Sequence, residues 1–218
     1  SAFGIGSLIT ALDNALGTKL SNQQMIEVAM LGSGSAARSL FSGFVLLDVA
    51  ENKVTCETIL EVEEWPLNVI VCVTSTNRKT MSSRQGMEIS RKTSPIYSDW
   101  VSNHQEDMEL ALQAIAVKNF DQLGKIAEQN CLKMHHVMKT SQPPIDYWNQ
   151  ATYSCVETVK NMQGEDMPVF FTIDAGPQVK IICEPDVSKE VVSLMEKLPG
   201  VQSIIESSLG QGARIIHE

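Results

Sequence analysis

The sequence predicts an α+β protein whose C-terminal part is a ferredoxin-like lobe. Large apolar residues near the N-terminus (Ile5, Leu8, Ile9, Leu12 and Leu16) recur at helical spacing. After about residue 168 the rhythm changes to short apolar runs parted by tight turns, in the order strand, strand, helix, strand. With 218 residues, 43% of them hydrophobic, the chain is long enough to bury one large or two small cores.

Each element has a local reason. The first helix, Ala2 to Leu16, stops at Gly17, and Ser21 caps a second with Gln24 in the capping-box position. The runs 44–49 and 54–62 read as strands joined by the polar turn Glu51-Asn52-Lys53, and the β-branched run 68–74 as a buried strand. The basic, hydroxyl-rich stretch Ser75 to Arg84 reads as a loop feeding a helix near 85–91, which puts the domain boundary after residue 84 and gives units 1–84 and 85–218. Helices follow at about 100–117, 120–138 and 145–162, the last two separated by Pro143-Pro144. Strands at 169–173 and 179–183 flank Asp174-Ala175-Gly176-Pro177. Ser188 caps a helix to Leu198, and strands at 201–205 and 213–216 close the chain.

Composition removes several function classes. A formal charge of −9 disfavours nucleic acid, whose phosphates need massed Lys and Arg. The longest apolar runs are strand-length, so no membrane span is expected, and Ser1-Ala2-Phe3 shows no signal-peptide pattern. Five widely spaced cysteines without a C-x-x-C pair point to reduced thiols in a cytoplasmic protein and to no zinc site.

The richest stretch is Gly32-Ser33-Gly34-Ser35-Ala36-Ala37-Arg38-Ser39. Glycines let backbone N–H groups turn to an anion, hydroxyls cap a following helix, and Arg38 lies three residues after Ser35, on the same helical side. Such an arginine can grip a carboxylate or phosphate with two hydrogen bonds. An ordinary capped helix start with a solvated arginine is the alternative. Because a helix N-terminus supplies only about half a charge, a polyanion held by this acidic chain would need Arg38 together with a lysine or a metal ion. Asp174 ends an apolar strand, either as a functional carboxylate or as the Asx turn of a hairpin. Lys79, Ser82, Ser83 and Arg84 form either a phosphate-binding or a merely solvated loop. His135 and His136 diverge by about 100° on a helix, a poor metal pair, and are expected on its surface. Ser35 lacks a G-x-S-x-G setting, and no P-loop is present.

Four stretches in order carry a resemblance: Leu31 to Leu40, Ser82-Ser83-Arg84-Gln85-Gly86-Met87, Pro143-Pro144-Ile145-Asp146-Tyr147-Trp148, and Phe171-Thr172-Ile173-Asp174-Ala175-Gly176-Pro177. Across nearly the whole chain the sequence resembles the diphosphomevalonate decarboxylase family of the GHMP kinase superfamily. The resemblance implies a two-lobe fold: a partial N-terminal α/β lobe and a ferredoxin-like C-terminal lobe. It also implies that roughly the family's first third precedes Ser1, with the glycine-rich part of the nucleotide loop and an active-site lysine. Two positions depart from the family, which commonly has Cys or Ser at Ala37 and Asn at Gln178.

The activity implied is ATP- and Mg²⁺-dependent decarboxylation of mevalonate 5-diphosphate to isopentenyl diphosphate. Asp174 matches the catalytic aspartate, Arg38 the arginine on the substrate carboxylate and diphosphate, and Ser35 and Ser33 added donors to that anion. Ser82 and Ser83 match loop serines near substrate and γ-phosphate, and Ser1 the last serine of the nucleotide loop. Homodimerisation is also implied. The nearest alternatives are a relative acting on mevalonate or its monophosphate, and a non-catalytic binding module.

Overall fold

The computed structural model describes residues 2–50 and 53–216. Two compact units result: residues 1–66 with 209–218, and residues 67–208.

The first unit contains α1 (Ala2–Leu16), α2 (Asn22–Gly32) and a hairpin of β1 (Phe44–Ala50) and β2 (Lys53–Leu60). Helix α2 starts where the sequence places it. The Ser21 hydroxyl accepts from Gln24 N at 3.3 Å, and Gln24 Oε1 accepts from Ser21 N at 2.9 Å. The helix expected after the Gly/Ser stretch is only a 3₁₀ turn, Ala37–Leu40, with no side-chain cap. The Ser39 hydroxyl donates to Ala36 O at 2.7 Å and Phe41 N to Arg38 O at 3.2 Å, which closes the turn. Ala36 and Ala37 are fully buried with Ile9, Ile26, Ala29 and Cys56 in a small core. Residues from 209 return here, where Gly43 N donates to Gly210 O at 2.9 Å. Instead of the strand expected at 213–216, the described residues form an isolated bridge between Ser42 and Gln211. Gly43 has φ +65°, and a Cβ there would collide with the Leu60 carbonyl, so the position needs glycine. Glu51 and Asn52 of the expected turn, and Ser1, lie outside the described residues.

The second unit runs β3 (Asn68–Val73), α3 (Ser83–Thr93), α4 (Tyr97–Ser102), α5 (His104–Ala116), α6 (Phe120–Lys139), α7 (Gln150–Gly164), β4 (Val169–Thr172), β5 (Val179–Cys183), α8 (Ser188–Met195) and β6 (Ser203–Ser208). Its sheet is antiparallel in the order β4-β5-β3-β6. This is a ferredoxin-like βαββαβ arrangement with β3 as its first strand. The units therefore part between Pro66 and Leu67, not at the boundary expected after 84, because β3 is hydrogen-bonded on both sides within the second sheet.

Local competition moved other boundaries. The helix expected at 100–117 breaks into α4 and α5 where the Asn103 side chain donates to Asp99 O at 2.8 Å. Helix α7 begins at Gln150, later than 145, because Asn149 caps it with Thr152 while the Asp146 carboxylate accepts from Trp148 N. Ser188 opens α8 as its first residue without a capping bond. The core joins Ile70, Phe171, Ile181, Cys155, Val159, Val191 and Met195 from β3, β4, β5, α7 and α8.

Candidate active site

Strand β4 is an edge strand, and its open side is covered by one stripe of α6. Glu128, Cys131 and His135, at i, i+3 and i+7, share a helix face. Phe171 N donates to Glu128 Oε1 at 3.2 Å and Ile173 N to Cys131 Sγ at 3.3 Å. Side chains thus accept the N–H groups that an edge strand leaves open. Glu128, buried to 5% exposure, is also paired with Lys160 and accepts from Gln163 Nε2 at 2.8 Å. Burial pushes the Cys131 thiol up to about 11, so it stands protonated and donates to Ile173 O at 3.5 Å.

His135 overturns the surface expectation: it is 3% exposed, whereas His136 is exposed. Its Nε2 lies 3.2 Å from Ile173 O and 3.3 Å from Trp148 Nε1, an indole N–H that can only donate. One ring nitrogen cannot serve both at once. With the lone pair on Nε2, Trp148 is satisfied and the Cys131 thiol serves Ile173 O. Burial lowers the His135 pKa, which favours this neutral form.

Asp174 is the next residue after this braced segment. Its side chain is 84% exposed, and Oδ2 pairs with Lys180 Nζ at 2.5 Å. Lys180 comes from β5, where Val179, Ile181 and Cys183 turn to the core and Lys180 turns away. A second ammonium stands near. Lys79 lies 5.2 Å from the Tyr147 ring centroid, in cation–π range. Partial burial lowers its pKa, Lys180 adds to that, and Asp174 opposes it. The Tyr147 hydroxyl donates to Ser82 O at 3.3 Å, and a Cβ at Gly86 would collide with that hydroxyl. The structure thereby links Asp174, Lys79, Tyr147 and the start of α3.

At that start the two serines differ. Ser82 caps α3, donating from its hydroxyl to Gln85 Oε1 at 2.8 Å and accepting from Gln85 N at 3.3 Å. Ser83 is the first helical residue and is exposed. On the other flank, Thr74 Oγ1 and Thr152 Oγ1 donate to Pro177 O at 3.0 and 2.8 Å, and Gln178 Oε1 accepts from Thr74 N at 2.7 Å. Asp174 thus sits in the β4–β5 connection with its carboxylate toward solvent and Lys180 as its partner. A cavity of about 440 Å³ along α6 and α7 and one of about 460 Å³ at Thr80, Met81 and Arg84 both leave Asp174 outside their lining.

In the first unit the Gly/Ser/Arg stretch is a compact polar turn. The Ser33 and Ser35 hydroxyls lie 3.1 Å apart, and Ser35 N donates to Ser33 Oγ at 3.4 Å. Arg38 is exposed and makes no ion pair among the described residues. Burial pushes the Cys56 thiol up against the pull of the Arg38 charge. Among the described residues no three His, Cys, Asp or Glu side chains are placed to hold a metal ion, and no helix is long and apolar enough to cross a membrane.

The sequence marked neither Lys180 nor Glu128, left Cys131 as one of five reduced thiols and put His135 on the helix surface. The helical spacing 128, 131, 135 was visible, but nothing local showed that it faced a strand edge.

A ferredoxin-like unit with an aspartate just past a braced strand, in one chain with a unit bearing a glycine–serine–arginine turn, has the composition of the GHMP kinase fold. A family model described as the mevalonate 5-diphosphate decarboxylase C-terminal domain matches residues 69–215, and one described as the diphosphomevalonate decarboxylase-like N-terminal domain matches residues 1–58. The chain belongs to the mevalonate 5-diphosphate decarboxylase family. It is 27% identical to the diphosphomevalonate decarboxylase of Candida albicans over 97% of this chain and 65% of that protein. Among solved structures, "MDDEF in complex with MVAPP" is similar with TM-score 0.90 and 30% identity, covering 100% of this chain and 69% of that one. "MDDEF in complex with MVAPP, AMPPCP and Magnesium" gives 0.86 and 31% over 96% and 65%. The chain spans about half to two thirds of the length of the curated relatives it matches.

Proposed function

We propose that the protein decarboxylates mevalonate 5-diphosphate at the expense of ATP, giving isopentenyl diphosphate, ADP, phosphate and carbon dioxide. The observation that carries this reading is the exposed Asp174 carboxylate on a strand end fixed from both sides, in a chain of this family. A tertiary hydroxyl is a poor nucleophile. Asp174 orients it by a hydrogen bond at about 3 Å and takes its proton as the phosphoryl group transfers. Arg38 holds the substrate's carboxylate and diphosphate, and Ser33 and Ser35 add hydroxyl donors to the same anion. Ser83 offers its free hydroxyl to substrate or γ-phosphate, while Ser82 acts through the cap that sets Ser83 in place.

ATP with Mg²⁺ supplies the phosphoryl group and neutralises its charge. The residues present fit that role without a protein metal cage, since Mg²⁺ is commonly held by substrate phosphates and one or two carboxylates. Lys79 supplies local positive charge, and Ser1 belongs to the nucleotide loop in this reading. A cytoplasmic setting and no affinity for nucleic acid are supported by five unpaired, buried cysteines and the charge of −9. Homodimerisation belongs to the same reading and is checked by sedimentation.

Carbon dioxide release from mevalonate 5-diphosphate, its monophosphate and mevalonate by the intact protein tests the proposal. ATP-dependent release is expected with the diphosphate alone. Release from the monophosphate instead supports the alternative substrate, and no release from any supports a binding module. Asp174→Asn is expected to cut turnover about a thousandfold, within the range for a lost general base, with substrate Kd within about twofold. Near-normal turnover removes Asp174 from the chemistry.

A further inference from the structure

We propose that Lys180 is a positioning residue that holds the Asp174 carboxylate in its productive orientation. The inference rests on the reading of Asp174 as the base for the substrate hydroxyl. In the β4–β5 register Thr172 stands opposite Lys180, and Asp174 follows two residues further along, just past the end of β4. A lysine stem spans that diagonal, and the contact at 2.5 Å shows that it does. Alternation on β5 fixes which residue can do this, because Val179 and Ile181 on either side are fully buried in the core.

The carboxylate needs such a restraint. At 84% side-chain exposure little packs around it, and no other side chain among the described residues bonds to it. The α6 stripe and the Pro177 network fix the backbone on either side, but not the Asp174 side-chain torsions. Lys79 is a second ammonium in the same neighbourhood, and it interacts with both Asp174 and Lys180. Without Lys180 the carboxylate is free to turn toward Lys79. Lys180 itself is only 26% exposed, so its stem is confined and its charge is not free to wander. An ion pair this exposed on its acid side contributes little to stability. Its effect therefore appears in orientation, where small misplacements lower rates about a hundredfold.

Lys180→Met keeps the stem and removes the charge. In the intact protein it should lower kcat ten- to a hundredfold with KM within about twofold and an unchanged thermal midpoint, and Lys180→Arg should restore most of the loss. In an Asp174→Asn background the same substitution should change kcat less than twofold, because the two residues act as one unit. Wild-type kcat in Lys180→Met, or an equal loss in the Asp174→Asn background, overturns the proposal. Crystal structures decide without turnover. Asp174 should face position 180 in a single conformer in the wild type and leave it in Lys180→Met. The same conformer in both overturns the proposal whatever the activity. A wild-type protein inactive on every mevalonate substrate defeats the functional reading alone, and the crystallographic comparison still decides on Lys180.

Discussion

The two units support their candidate residues differently. In the first, Ser33, Ser35 and Arg38 sit on a turn whose hydrogen bonds join neighbours two to four residues apart. In the second, Asp174 lies just past the end of β4, in a segment held by partners 25 to 104 residues away, from α6, α7 and the residue that follows β3. The turn presents an arginine without an ion pair among the described residues, suited to an incoming anion. The strand end presents a carboxylate that already has a partner, suited to fixed geometry. In the proposed roles, the binding groups sit on a local scaffold and the proton acceptor on the wider frame.

The largest effect expected from breaking this contrast is at Glu128. Glu128→Leu removes the acceptor of Phe171 N and the partner of Lys160 and Gln163. It should cost about 3 kcal/mol in urea unfolding, the scale for a half-broken buried pair with an orphaned N–H. A loss below about 1 kcal/mol, within the range of an ordinary surface change, would show that α6 does not brace the β4 edge.

Next is Arg38→Ala. Substrate binding should weaken by roughly 2 kcal/mol, as for a lost charged partner, while folding stability changes by less than about 0.5 kcal/mol, as for an exposed site. Calorimetry and unfolding together check both. An unchanged substrate Kd would leave the turn a capped loop.

The smallest expected effect is pH dependence at His135. Burial holds its folded pKa below the ordinary histidine value of 6.5, so the unfolded chain takes up a proton that the folded chain refuses. The stability is fully present above pH 6.5 and declines as pH falls through 6.5, until the folded pKa is reached. Asp146 opposes this shift and Lys139 adds to it. Urea midpoints from pH 7.5 to 5.5 should fall more in the wild type than in His135→Gln. Equal slopes would show that His135 is protonated under the strand end.

Much of both regions is legible in the sequence, for a physical reason. Ser21 with Gln24, and the stop of α1 at Gly17 with its φ of +64°, follow from bonds and sterics within a few residues. The four family stretches likewise marked Arg38, Ser82, Ser83 and Asp174 without reference to a fold. What went unread depends on distant partners. Adjacent His135 and His136 look alike in sequence, yet one meets Ile173 and Trp148 and the other meets solvent.

By itself, then, the sequence determined the α+β class, most helix and strand spans, the Ser21 cap and the residues bearing the family's motifs. These are local matters of periodicity, backbone sterics and near-neighbour hydrogen bonds. The tertiary structure alone decided that β3 belongs to the second unit, that Glu128, Cys131 and His135 close a strand edge, and that Lys180 reaches Asp174. Strand pairing joins residues far apart in the chain, and only the finished sheet fixes which side chains meet across it.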